Sequence, residues 1–239
     1  MHPPSPSAPR NNTPTALVAI WKPRGPTSHD VINAMRRITH ERTVGHAGTL
    51  DPLASGVLVI GIGREATRRL AGVVSTTKEY RAAIRLGATS TTDDAEGTIT
   101  ETDTIEEPPS EDVVAVVAAS FVGTIAQTPP IYSAIKIGGT PAHRRVRRGE
   151  QVVLAPRQVR IAAITILRYA WPELDLEIAC GPGTYIRSLA HDIGVALHVG
   201  GYLTALERTR VGDFTKNDAI TIEAFAARWS AGTFAASPS

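Results

Sequence analysis

Asp51 is the residue whose surroundings most suggest chemistry. It lies in GHAGTLDPLASGVL, among Gly45, Gly48 and Gly56, and glycines let a backbone bend where a Cβ would clash. Pro52 fixes its own φ and biases Asp51 toward an extended conformation. The carboxylate is therefore presented rigidly, just ahead of an apolar strand. A lone carboxylate held this way can act as a nucleophile. It can equally cap an Asx turn, because Asp-Pro is an ordinary turn signal, and the residues alone leave both readings open. A hydrolase would need a second acid or base at suitable spacing, and none accompanies Asp51. Cys180 is the only thiol. Its setting, LDLEIACG, alternates like a strand, so it reads as buried filler. A single cysteine excludes an intramolecular disulfide and a Cys-rich zinc site, and it agrees with a reducing compartment.

Net charge is only +2, so overall charge does not demand nucleic acid, but the basic residues are clustered. His143, Arg144, Arg145, Arg147 and Arg148 form one group, and Arg64, Arg68 and Arg69 another. Such clusters bind phosphate or form a solvated helix face. The acidic stretch TSTTDDAEG lacks the ligand spacing of an EF-hand. It reads as a hairpin turn, and no metal is expected there.

Several elements must position these residues. ALVAIW (16–21) predicts a short buried strand, which KPRGPTS breaks with two prolines and a glycine. Thr27 or Ser28 caps a helix through HDVINAMRRITH, where Val31, Ile32, Met35 and Ile38 share one face. Residues 41–56 read as a polar loop and VLVIGIG as a buried strand. ATRRLAGVVS predicts a helix. KEYRAAIRLG predicts a strand with Tyr80, Ala82, Ile84 and Leu86 on one face. GTITETDT continues as a strand and EDVVAVVAASFVG as a helix. IYSAIKIGG reads as a strand and RRVRRGE as a basic helix end closed by Gly149. Strands then fit VRIAAITILRYA and LDLEIACG. A helix begins near Thr184, GYLTALERTRVGDF reads as a strand or turn, and TIEAFAAR as a last helix. Without a regular βαβ rhythm, the expected class is α+β, a mixed, largely antiparallel sheet with flanking helices.

The chain has 239 residues, 42% hydrophobic and 20% charged. That suits a soluble globular protein with a sizeable core. No segment approaches the length of a membrane-spanning helix. The Pro-, Ser- and Asn-rich residues 1–15 read as a disordered leader rather than a secretory signal. Residues 16–228 form the expected folded domain, and 229–239 a frayed tail.

GHAGTLDPLASGVLVIGIGREAT resembles the catalytic motif of the TruB family of pseudouridine synthases. WKPRGPTSHDV, KEYRAAIRLG, PPIYSAIKIGG, CGPGTYIRSLAHDIG and YLTALERTRVGDF resemble the family's other motifs, in the family's order, over roughly residues 16–225. The resemblance implies the pseudouridine synthase fold and isomerisation of uridine at position 55 in the T arm of tRNA. It makes Asp51 the nucleophile that attacks the ribose or assists elimination to a glycal. Tyr80 would stack on the flipped uracil, Arg187 would pair with Asp51, and Tyr185 and Leu206 would line the pocket. His46 would fill the space left by the everted nucleotide, and Lys22 would lie near the site. Arg144, Arg145, Arg147 and Arg148 would track the phosphates of the T stem-loop. No metal or organic cofactor is implied, and the expected enzyme is a cytoplasmic monomer. The alternative is a noncatalytic chaperone that binds tRNA through the same surface.

The chain departs from the family pattern at His143, where an aromatic is common, at Thr91, where an Asp is common, and at Glu207, where a basic residue is common. It also ends where many bacterial members continue, so a C-terminal PUA-type domain is expected to be absent.

Overall fold

A computed structural model of the chain describes residues 15–102, 107–133, 135–146 and 148–233. The leader expected at 1–15 (all but its last residue), Arg147, the side chain of His143 and the end of the tail lie outside the described residues. In chain order the elements are β1 (Ala16–Lys22), α1 (Ser28–Thr39), β2 (Val44–His46), β3 (Ala54–Ile62), α2 (Gly63–Val74), β4 (Lys78–Leu86), β5 (Ala88–Ser90) and β6 (Ile99–Glu101). There follow α3 (Glu111–Ser120), β7 (Gly123–Gln127), β8 (Lys136–Ile137), β9 (Thr140–Pro141), α4 (Ala142–Val146), β10 (Arg157–Ala170) and β11 (Glu173–Cys180). The chain closes with α5 (Ile186–Ala196), β12 (Gly201–Val211), β13 (Phe214–Thr215) and α6 (Ile222–Ser230).

The main sheet runs β1-β3-β12-β4-β11-β10-β7, with β2 added to β3 and β13 to β12. Among the described residues its pairings are antiparallel except β12 with β3. That is the mixed, largely antiparallel α+β sheet the sequence predicts. The continuous apolar runs of β1 and β3 have a physical reason, since both strands are buried on both faces. Val18, Ile20, Leu58 and Ile60 pack with Val31, Ile32 and Met35 of α1 and Phe225 of α6. Leu17, Ala19, Val57 and Val59 pack with Ala66 and Leu70 of α2 on the other side. β4 alternates, and its Tyr80, Ala82, Ile84 and Leu86 join β11 and the inner face of α5 in a third cluster. Each such side chain removed from water contributes roughly 1.5–3 kcal/mol.

Four sequence expectations shift. Residues 41–56 are not one loop: β2 forms within them, and β3 begins at Ala54 because Ala54–Gly56 pair with β12. IYSAIKIGG is strand only at Lys136–Ile137, a two-residue arm of the small β8–β9 hairpin. The helix expected to run on to Gly123 stops earlier; α3 ends at Ser120, and β7 is drawn into the sheet by β10. α6 continues through Trp229 and Ser230, past the expected boundary at 228, and Trp229 stacks on Phe225 with ring centroids 5.5 Å apart.

Candidate active site

The segment carrying Asp51 is tied down from three directions. Ser28, the first residue of α1, donates its hydroxyl to the Leu50 carbonyl (2.9 Å) and accepts the Leu50 N–H (2.8 Å). α1 is itself fixed by a capping box in which Thr27 and Asp30 bond reciprocally. The Gly25 N–H donates to the Pro52 carbonyl (2.8 Å), joining the KPRGP turn to the DPL turn. The Ala54 N–H closes the turn on the Asp51 carbonyl (3.0 Å). The Asp51 side chain stays 38% exposed, so it can reach a substrate.

Arg187, in the first turn of α5, meets this carboxylate. Its Nε lies 3.0 Å from Asp51 Oδ2 and its Nη1 3.3 Å from Asp94 Oδ2. The guanidinium also donates to the carbonyls of Thr92 (3.1 Å) and Tyr132 (3.0 Å). Its side chain is 6% exposed and that of Asp94 3%. One buried cation therefore serves a buried carboxylate and a half-exposed one. α5 has no side-chain cap of its own. Gln127, at the end of β7, replaces it by accepting the Tyr185 N–H (2.8 Å) and donating to the Tyr185 carbonyl (3.1 Å). Ser188 adds a bond to the Thr128 carbonyl (2.8 Å).

Electrostatics bring the other side chains into the same site. Burial pushes the Tyr80 phenol up, partly offset by the charge of Arg208 and a hydrogen bond with it, while the Asp51 charge adds to the rise, so Tyr80 stays protonated. Tyr185 is raised for the same two reasons, partly offset by a hydrogen bond with Ser133. Lys22 is buried, not the surface charge its residue type alone suggests. Its ammonium donates to the carbonyls of Ala54 (2.6 Å) and Pro23 (2.9 Å). Burial lowers its pKa to about 8 against the opposing pull of Asp51. His46, on β2, is lowered first by burial and then by the neighbouring Arg208 cation. A hydrogen bond with the Gly48 backbone partly offsets this lowering. Leu206 sits opposite Ala54 and Ala82 on the adjacent strands. It borders a cavity of about 470 Å³ that Leu53, Ala82, Ala205, Arg24 and Arg81 also line.

Asp51, Tyr80, Tyr185, Arg187 and Lys22 thus converge, with Leu206 and His46 on strands at the edge of the site. Arg144, Arg145 and Arg148 of the basic cluster do not join them. Arg144 and Arg148 are exposed, and Arg145 is turned onto Glu150. Asp94, Gln127 and Arg208 are the site residues that sequence reasoning missed. The hairpin read as a mere turn spends both its carboxylates, Asp94 on Arg187 and Asp93 on His191. Thr91 closes that hairpin by accepting the Thr98 N–H (3.0 Å). Glu207 pairs with Lys216 at 3.7 Å.

Comparison with known proteins bears on this geometry. The family model "TruB family pseudouridylate synthase (N terminal domain)" matches residues 36–186, and "tRNA pseudouridylate synthase B C-terminal domain" matches 187–236. The division between them falls one residue into α5, and β12 of the second region is bonded to β3 and β4 of the first. A protein of Corynebacterium diphtheriae named tRNA pseudouridine synthase B is 49% identical over 218 residues, covering 87% of this chain and 71% of the relative. Its namesake in Thermobifida fusca is 46% identical over 226 residues, covering 90% and 75%. Among solved structures, one titled as a Cbf5-Nop10-Gar1 complex superposes with a TM-score of 0.71 at 29% identity, covering 92% of this chain. This chain spans 57% of that one's length. A second, an H/ACA RNP bound to a substrate RNA containing 2'-deoxyuridine, gives a TM-score of 0.68 at 27% identity, covering 92% and 56%.

Proposed function

The chain belongs to the TruB family of pseudouridylate synthases, and we propose that it isomerises uridine 55 in the T arm of tRNA, with Asp51 as the attacking group. Conversion of uridine to pseudouridine in tRNA follows from the family; position 55 and the residue roles are our reading. The observation that carries it is the Asp51–Arg187 pair at 3.0 Å, with two protonated tyrosines beside it.

In the reaction the C1′–N1 bond breaks and a C1′–C5 bond forms. C5 loses a proton and N1 gains one, so composition and oxidation state are conserved and no co-substrate is consumed. Asp51 attacks the ribose or assists elimination, and the Arg187 guanidinium 3.0 Å away holds its carboxyl in place. A uridine in a folded loop reaches this carboxylate only when extruded from its stack. Tyr80 offers a ring face to the extruded uracil, worth about 1–3 kcal/mol of stacking, and Tyr185 and Leu206 complete the walls. His46 enters the space the nucleotide vacates. Lys22 holds the Ala54 end of the aspartate turn. Arg144, Arg145, Arg147 and Arg148 contact backbone phosphates of the T stem-loop. We place the enzyme in the cytoplasm, as a monomer acting on the T stem-loop. Among the described residues no helix is long and apolar enough to cross a membrane.

The test is to incubate the protein with an isolated T stem-loop and with an anticodon stem-loop, and to map pseudouridine. The expected result is conversion at position 55 of the T stem-loop alone. Conversion of neither RNA, or equal conversion of both, contradicts the substrate reading.

A further inference from the structure

β3 has a fork along one edge. β1 pairs with its other edge from Gly56 to Ile62, so β12 and β2 must share the remaining one. β12 takes Ala54–Gly56, in parallel, and β2 takes Ile60–Ile62. Val57 to Val59 fall between the two registers, and the loop bearing Asp51 leaves β2 at this gap. Buried carbonyls in a gap need donors from elsewhere. The Ala47 N–H supplies one, to the Val59 carbonyl at 2.9 Å. Arg208 supplies the other, donating from Nε to the Val57 carbonyl at 2.8 Å. Its two remaining nitrogens reach into the loop itself, Nη2 to the Gly48 carbonyl (3.1 Å) and Nη1 to the Thr49 carbonyl (3.4 Å).

Two glycines bring the backbone close around this residue. Arg208 is 1% exposed. Gly48 has φ +94°, a conformation that disfavours any side chain. At Gly56, with φ +114°, an added Cβ would collide with the Arg208 backbone, so only glycine lets β3 and β12 close here. Arg208 is also the cross-strand partner of Tyr80. Among the described residues no carboxylate lies within ion-pair distance of it; three backbone carbonyls and a hydrogen bond with the Tyr80 phenol hold its charge. A buried cation without a counter-ion is costly, and it is tolerated here because Nε, Nη1 and Nη2 each meet a carbonyl of the fork or of the loop.

We propose that Arg208 is a positioning residue for the isomerisation: its guanidinium bridges the fork and fixes the Asp51 loop relative to Tyr80 without touching the RNA. This rests on the reading of Asp51 as the attacking group. The fork geometry of a guanidinium serves three acceptors at once, and a lysine ammonium on a flexible stem cannot reproduce it. A displacement of the loop by about 1 Å is enough to lower kcat by about 100-fold.

The experiment measures kcat and KM for a T stem-loop with Arg208→Lys and Arg208→Ala, each checked for folding by thermal melting. The expected result for Arg208→Lys is a folded protein with kcat lowered about 100-fold and KM within about threefold of the parent, since misplacement costs turnover and not uniform binding. Added guanidinium chloride, at concentrations well below denaturing, should restore at least about tenfold of kcat to Arg208→Ala and leave the parent unchanged. The inference is overturned if folded Arg208→Lys keeps the parent kcat, if KM rises instead of kcat falling, if Arg208→Lys does not fold, or if folded Arg208→Ala is not rescued. Should Arg208→Ala fail to fold, the Lys variant decides. Asp51→Asn runs in parallel. An active Asp51→Asn sinks the underlying reading, whereas an inactive one beside an unimpaired Arg208→Lys sinks this inference alone.

Discussion

Two regions of the molecule are both rich in cations and put them to opposite uses. Around the Asp51 loop, Lys22, Arg187 and Arg208 are all buried, and each is bonded to backbone carbonyls. Around the β8–β9 hairpin and α4, Arg144 and Arg148 are exposed, and Arg145 has one half-exposed carboxylate partner, Glu150. Buried cations are expensive, and they are retained where their geometry is used. Exposed cations cost little and act through long-range, salt-screened attraction. In the proposed function the first region holds reacting groups still and the second gathers a polyanion.

Breaking the first region should have the largest effect. Arg187→Ala strands the buried Asp94 carboxylate and frees Asp51. Loss of one partner of such a pair costs about 3–5 kcal/mol, read by denaturant unfolding, and turnover should fall by at least about 10³-fold. Adding Asp94→Asn should recover part of the stability and none of the turnover. If turnover returned with stability, Arg187 would be acting on the fold rather than on Asp51.

Next in size is Ser28→Ala, which removes both bonds to Leu50 and leaves its buried N–H without an acceptor. About 1–3 kcal/mol of stability should be lost, with kcat falling more than KM rises. An unchanged kcat would mean that the loop is fixed without Ser28, by the Gly25–Pro52 and Arg208 bonds.

The second region should respond differently. Arg144→Ala or Arg148→Ala should weaken RNA binding and reduce the salt slope of log Kd by about one for each phosphate no longer neutralised. kcat at saturating RNA should stay at the parent value. A fall in kcat would erase the distinction between the two regions.

The smallest effect concerns His191 and Asp93, 3.2 Å apart across α5 and the hairpin that supplies Asp94. The hydrogen bond with Asp93 raises the His191 pKa, against a smaller opposing effect of burial. A raised folded-state value means the stabilisation is complete below the usual histidine pKa and is lost as pH rises through the folded one. Asp192, raised by burial, also faces this histidine. His191→Gln should therefore be less stable than the parent in mild acid, with the gap closing above neutrality. The pair is partly exposed, so the gap should be under about 1 kcal/mol. A gap that widens with pH would contradict the assignment.

Much of this was legible in the sequence, and the limits are instructive. The glycines, Pro52 and the Thr27 cap act over a few residues, so they announce the Asp51 turn and α1 directly. Alternation in KEYRAAIRLG gives the inward face of β4, Tyr80 included. Asp94 and Gln127 escaped because their roles depend on partners 93 and 58 positions away, Arg187 and Tyr185, and a TTDD hairpin or a strand-end glutamine looks ordinary by itself. Arg208 did leave a trace. It falls two residues after Leu206, on the inward parity of β12, where a cation needs explaining. The β2–β12 fork that explains it is a property of the sheet and has no local signal.

The most direct measurement is single-turnover conversion of uridine to pseudouridine in a T stem-loop by Asp51→Asn, beside its affinity for the same RNA. The account predicts RNA bound about as tightly as by the parent and conversion lowered by at least about 10³-fold. Conversion at the parental rate would contradict it.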